Sequence, residues 1–288
     1  MTRAMQIRPA AVSGMFYPSD PTILSVQVDQ LLDMHQEPRI EGKPLGLISP
    51  HAGYMYSGYT AAAGFAQLRD REINTAIIIS PSHREYFNGL SIYDGDAYRT
   101  PLGIVEMDRD LRDRLLKHKG AFMLSKFGHR DEHAVEVQLP FLQRINDEIK
   151  ILPIVMGDQR RDLCRLLGEI LGKEISDDRV VIIASSDLSH MHDDSRARVL
   201  DMVAAGDIEQ ISAAKFVDDI ACRRTEACGG GPIAAVLHAC FQRGATRTVI
   251  LHQCTSGDVT GDRRSVVGYL SAALIKSDDR PRVEPPSG

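Results

Sequence analysis

The 288 residues, 43% hydrophobic and 25% charged, suffice for one large α/β domain or two small ones with a packed core. A net charge of −5 without long basic runs leaves no electrostatic footprint for nucleic acid or an anionic membrane surface. No stretch approaches the ~18 to 20 apolar residues of a membrane helix, and the opening MTRAMQIRPAAVSG lacks the apolar run of a secretory signal. A cytoplasmic protein that meets a small molecule, a metal or a protein partner is expected.

Apolar runs rich in Ile and Val alternate with segments of helical period along the chain. The first strand is expected at Leu45–Ser49, followed by a helix at Gly58–Leu68 and a strand at Thr75–Ser80. Leu90–Ile92 and Gly103–Glu106 read as a small antiparallel excursion, and helices follow at Asp108–Lys119 and Asp131–Ile145. Then come a strand at Ile151–Met156, a helix at Arg161–Ile175, a strand at Val180–Ser185, and helices at Val199–Phe216 and Gly230–Phe241. Strands at Thr248–Cys254 and Val266–Leu274 close the pattern. Such βα alternation predicts a single α/β domain, residues 1–276, with a mostly parallel central sheet flanked by helices. The tail, residues 277–288, is rich in Pro, Gly and charge and has nothing to bury, so it is expected to be flexible.

Three strands run straight into polar side chains: LGLISPHAGY into His51, AIIISPSH into His83, and VIIASSDLSH into Asp187 and His190. In open α/β sheets the functional crevice lies outside the carboxyl ends of parallel strands. A single such histidine is ordinarily a turn residue bonded to backbone, but SPH is echoed by SPSH one strand later. Adjacent strands would set the two turns side by side, and two neutral imidazoles are the usual beginning of a transition-metal site.

Five cysteines without a C-x-x-C pair argue against a disulfide framework and a zinc ribbon. Of these, Cys228 in TEACGGGP is best placed to join the histidines. It precedes a helical stretch whose N–H groups and dipole would favour thiolate, with Glu226 as an alternative carboxylate donor. Asp187 and His190 could form an acid/base pair, the carboxylate fixing the imidazole tautomer; as structural groups, Asp187 would cap a turn and His190 would be polar surface. His129, Glu132 and His133 spell H-x-x-E-H, the inverted zinc-protease signature. That motif needs both histidines on one helix face, whereas Gly128 and Asp131 start a helix between them. His133, Glu136 and Gln138 instead read as crevice wall or as support for the ligands.

RPAAVSGMFYPSD, ISPHAGYMYSG, SPSH, YRTPLG, DEHAVEVQLPFL, SSDLSH, CGGGP and SVVGYLSAAL, in that order, resemble the Memo-like family, known in prokaryotes as AmmeMemoRadiSam system protein B. The resemblance runs from Arg8 to about Leu274. It implies a fold related to the LigB-type class III extradiol dioxygenases, whose non-haem iron sits at the ends of sheet strands. It also implies His51, His83 and Cys228 as metal-site residues, with Asp187 and His190 beside them in the pocket. In the dioxygenases the third ligand is a carboxylate. A thiolate there favours copper, particularly Cu(I), and is compatible with iron or zinc. The family includes a eukaryotic protein associated with cell-motility signalling, redox activity and metal binding, and the prokaryotic name hints at a pathway shared with a radical-SAM protein. Three functions are then open. The first is a copper- or iron-dependent redox or oxygen-using enzyme with His190 and Asp187 handling protons. The second is a non-catalytic module that binds a peptide or sequesters a metal, with Tyr54, Tyr56 and Tyr59 as contacts. The third is metal-free nucleophilic catalysis by Cys228.

Overall fold

The computed structural model describes residues 4–35 and 39–277. The expected flexible tail therefore falls, from residue 278 onward, outside the described residues. In chain order, β1 (Ile7–Arg8) leads to α1 (Pro21–Asp33), β2 (Lys43–Ser49), α2 (Tyr54–Ala66) and β3 (Thr75–Pro81). A peripheral stretch follows: β4 (Leu90–Tyr93), β5 (Ala97–Thr100), β6 (Gly103–Glu106), α3 (Arg109–Leu115) and β7 (Phe122–Ser125). A 3-10 turn at Glu136–Gln138 runs into α4 (Leu139–Ile145), and β8 (Lys150–Met156), α5 (Arg161–Glu174) and β9 (Val180–Ser185) return the chain to the centre. Next come β10 (His190–His192), α6 (Asp194–Glu209), α7 (Ala213–Ala221), α8 (Gly230–Gln242), β11 (Arg247–Thr255), α9 (Ser256–Thr260) and β12 (Val266–Lys276).

Buried parallel strands need apolar residues on both faces, which is why β2, β3, β8 and β9 read as unbroken Ile/Val/Leu runs. Ala76–Ile79 and Val181–Ala184 are wholly buried in one continuous core. These four strands pair in parallel in the order β2-β9-β3-β8. Around them the sheet is mixed rather than mostly parallel. β12 runs antiparallel to β2, β10 and β11, and β4 runs antiparallel to β8 while pairing in parallel with β7. Only β5 and β6 form the expected antiparallel excursion, with β1 beside β5; Leu90–Ile92 belongs to the large sheet.

β2 and β3 are not neighbours, contrary to expectation, because β9 lies between them. The β2–α2–β3 connection crosses in one direction and β8–α5–β9 returns in the other, so right-handed crossovers put their helices on opposite faces. Consecutive residues of β2 record this. The Gly46 position faces Cys240 and Val236 of α8, while Leu47 packs near Gly64 of α2. The return strand makes the ends of β2, β9 and β3 a topological switch point.

Two expected helices change shape. Asp131–Ile145 is loop, then 3-10 turn, then a short helix, because Pro140 lacks an N–H and fits only a first turn. Val199–Phe216 is two helices, broken at Ile211, whose φ of 52° is left-handed. Among the described residues no helix is long and apolar enough to cross a membrane.

Candidate metal centre

β2 and β9 are in register at Ser49 and Ser185, so the residues just beyond them emerge side by side. His51, at 2% exposure, follows Pro50 at the end of β2, and its backbone N–H donates to Asp187 Oδ1 at 2.8 Å. His83 lies past the end of β3, its ring centroid 5.0 Å from that of His51 in an edge-on arrangement. Cys228 precedes α8 and brings its Sγ to 3.1 Å from His51 Nε2. An added Cβ on Gly229 would stand 2.5 Å from the Ser185 carbonyl oxygen, so the turn after Cys228 can press against β9 only as glycine. The donor atoms of His51, His83 and Cys228 all lie within 4.8 Å of one another. Two ligands of a tetrahedral ion, one nitrogen and one sulfur, stand roughly 3.5 Å apart, so this cluster closes on an ion with small side-chain shifts.

Hydrogen bonding decides which imidazole nitrogens are bare. The Pro50 carbonyl can only accept, so the Gln138 side-chain atom 3.0 Å away is the amide nitrogen. That nitrogen also donates to Ser185 Oγ at 2.9 Å, while the amide oxygen accepts from Ser49 Oγ. The Ser185 hydroxyl spends its proton on the Ala134 carbonyl at 2.6 Å and must therefore accept from His51 Nδ1 at 3.0 Å. His51 is thus protonated on Nδ1, and Nε2 presents its lone pair towards Cys228. At His83 the Glu132 carboxylate does the same work, accepting the backbone N–H at 2.6 Å and Nδ1 at 3.0 Å. Against burial, hydrogen bonds and charge from His83 hold Glu132 down at about 2, so it is an ionised acceptor and the His83 ring keeps a proton on Nδ1.

Burial, aided by the facing His83, pushes His51 down to about 3, and it is neutral at physiological pH. The expected thiolate at Cys228 is corrected by the same physics. Burial, then the nearby Asp187 charge, raises the thiol to about 12, overriding the Gly229 N–H and the helix terminus. A cation at the site would invert that order.

Asp187 is buried, its pKa raised by burial. It does not fix the His190 tautomer: its Oδ1 takes the His51 N–H, and His190 Nδ1 is bonded to the Leu188 carbonyl at 2.8 Å. His190 is exposed on β10 next to Met191, whose left-handed φ of 62° carries local strain. Glu226 bonds His192 at 2.9 Å instead of joining the histidines.

The H-x-x-E-H residues separate as well. His129 is buried away from the cluster, bonded to Tyr98 Oη at 2.7 Å and the Ser91 carbonyl. Glu136 clamps the N-terminal segment, accepting from Arg8, the Ala11 and Val12 N–H groups and Tyr17. His133 does reach the crevice, 5.2 Å from His51 and 4.7 Å from His83, with Phe16 against it at 4.9 Å. Tyr54 is buried and donates to the Val137 carbonyl, leaving Tyr56 and Tyr59 on the surface. Ser185 opens the SSDLSH motif, but that motif points to Asp187 and His190, and the only further signal for Ser185 is a serine at a strand end like Ser49.

A family model described as Memo-like protein matches residues 8–273. A MEMO1 family protein of Methanosarcina mazei is 39% identical over 275 residues, covering 94% of this chain and 99% of that protein. One from Aquifex aeolicus is 35% identical over 272 residues, 94% of this chain and 100% of that protein. Among solved structures, an uncharacterised protein from Escherichia coli K12 shares the fold with a TM-score of 0.51 at 14% identity, over 81% of this chain and 99% of that one.

Proposed function

This chain belongs to the Memo-like family, and from that membership and the wiring of its imidazoles we propose that it binds copper or iron through His51, His83 and Cys228 for redox or oxygen chemistry on a small molecule. The observation that carries the reading is the Gln138–Ser185 relay. It fixes the His51 lone pair on Nε2, 3.1 Å from the Cys228 sulfur, where a metal ion would take the place of the thiol proton that now joins them. Two imidazoles and a thiolate form a soft set suited to Cu(I) and compatible with iron. A bound redox ion would supply electron transfer or oxygen activation. The protein's own groups orient the ligands: Asp187 anchors the His51 backbone, and Glu132 aims His83. His190, exposed at the rim, is the group placed to pass protons between crevice and solvent. The same proposal includes kinship of the fold with the LigB-type dioxygenases.

Element-specific analysis of protein purified without an affinity metal, and of His51→Ala, His83→Ala and Cys228→Ser, tests the site. Stoichiometric copper or iron, lost in all three variants, is expected. No metal even after anaerobic reconstitution with Fe(II), Cu(I) and Zn(II) would sink the reading. Metal retained without consumption of oxygen or reductant would leave a sequestering module.

A further inference from the structure

We propose that His83, Glu132 and His133 form a second, harder cation position that shares His83 with the Cys228 position, one ion per chain occupying either set according to its hardness. The inference rests on reading the crevice as a metal centre. The three donor atoms lie within 4.8 Å of one another. Glu132 Oε1 stands 3.0 Å from His83 Nδ1 and 3.2 Å from His133 Nδ1. Adjacent ligands of an octahedral ion, at ~2.1 Å from it, are about 3.0 Å apart, so both separations already match. Despite its nearness to the carboxylate, His133 Nδ1 is buried and makes no hydrogen bond. A buried polar atom left unpaired costs about 1–3 kcal/mol, and a cation beside Glu132 would give this one a partner. Two imidazoles and a carboxylate with open positions make the face that suits Fe(II), and the carboxylate with water in the open positions also accepts Mn(II).

The two positions exclude each other through the proton on His83. A neutral imidazole has one N–H and one lone pair. The Cys228 set needs the lone pair on Nε2 with the proton on Nδ1, shared with Glu132. The Glu132 set needs the opposite tautomer, the cation replacing that proton between Nδ1 and Oε1. Soft Cu(I) is drawn to the sulfur, and a hard divalent ion to the carboxylate.

X-ray absorption of the full chain loaded with one equivalent of Cu(I), and separately of Mn(II), tests the assignment. Sulfur at about 2.3 Å is expected around copper, and only nitrogen and oxygen around manganese. Cys228→Ser should weaken Cu(I) at least about 100-fold while Mn(II) stays within about threefold, and His133→Phe should weaken Mn(II) about 10- to 100-fold and spare Cu(I). Phenylalanine keeps the ring between His83 and Phe16. Glu132 is a poorer target because it also holds the His83, His133 and Ala134 backbone N–H groups. Sulfur beside Mn(II), equal weakening of both ions by Cys228→Ser, or Cu(I) binding without any Mn(II) binding would overturn the second position and leave the first standing. Failure of both ions to bind would remove both.

Discussion

Carbonyls that can only accept set the polarity: Pro50 orients the Gln138 amide towards Ser185, and Ala134 takes the Ser185 proton, so Ser185 accepts from His51 Nδ1. Gln138→Leu removes the amide that positions Ser185 Oγ against His51, without touching a ligand. Metal affinity should fall about 10- to 100-fold and stability by about 1–3 kcal/mol, since Ser49, Pro50 and Ser185 lose partners. Competition with a chelator of known affinity and thermal melts would check both, and unchanged affinity would refute the relay. The same titrations across pH report on Cys228. With the thiol raised to about 12, metal uptake must release its proton, so affinity should rise about tenfold per unit from about pH 6 to 9. His51, already neutral there, adds no further slope, and Cys228→Ser should flatten the dependence. The ligand residues themselves were legible because strand ends and repeated SPH turns are local patterns. Gln138 was legible as support for the ligands, but the work of Ser185 and Glu132 was not, since they act on imidazoles 134 and 49 positions away, each at 3.0 Å across the fold.

At the scale of elements, strands were read more faithfully than helices. Continuous apolar runs have one explanation in a parallel sheet, and β9 falls at Val180–Ser185 as expected. The helix expected from Asp131 failed because an N-cap pattern was weighed without Pro140, a local signal that placed the start later. Nothing local announced the break at Ile211, a position where glycine is usual. Two glycine substitutions should separate structural necessity from mere occurrence. Gly229→Ala drives a methyl to 2.5 Å from the Ser185 oxygen and should cost about 1–3 kcal/mol while displacing Cys228 from His51. Gly206→Ala, in the interior of α6 where nothing lies within 4 Å, should stabilise by about 0.5–1 kcal/mol. Melts of the two variants with opposite signs are the expected result, with metal affinity reduced only in the first. Equal shifts would mean that the contact against β9 is not what holds the Cys228 turn.

For the whole molecule, composition and alternation conveyed the α/β class, while strand order lay beyond them: a run of βα units is equally consistent with β3 beside β2 or with β9 inserted between them. The same fold buries several imidazoles, and acid stability should reveal it. Burial is the chief cause that holds His51 and His129 at about 3 and His133 at about 4, all below the ordinary value of 6.5. Each is neutral when folded and takes a proton when unfolded below about pH 6.5, so the unfolded chain binds more protons and stability falls as pH drops from there towards the folded values. Three such groups give a slope approaching about 4 kcal/mol per pH unit. Glu132, held at about 2, adds loss of the same sign below about pH 4.5, whereas Asp187, raised by burial, opposes it. Against a total stability of ~5–15 kcal/mol, cooperative acid unfolding should be complete by about pH 4. Denaturant midpoints measured from pH 7.5 down to pH 4.5 should fall steeply below pH 6.5. His129→Gln, remote from the crevice, should remove about a third of that slope, and a flat profile to pH 5 would show that these imidazoles are not held neutral by the fold. A saturating ion that requires neutral imidazoles binds only the folded chain, so it should move the unfolding midpoint to lower pH, by an amount that grows with its concentration.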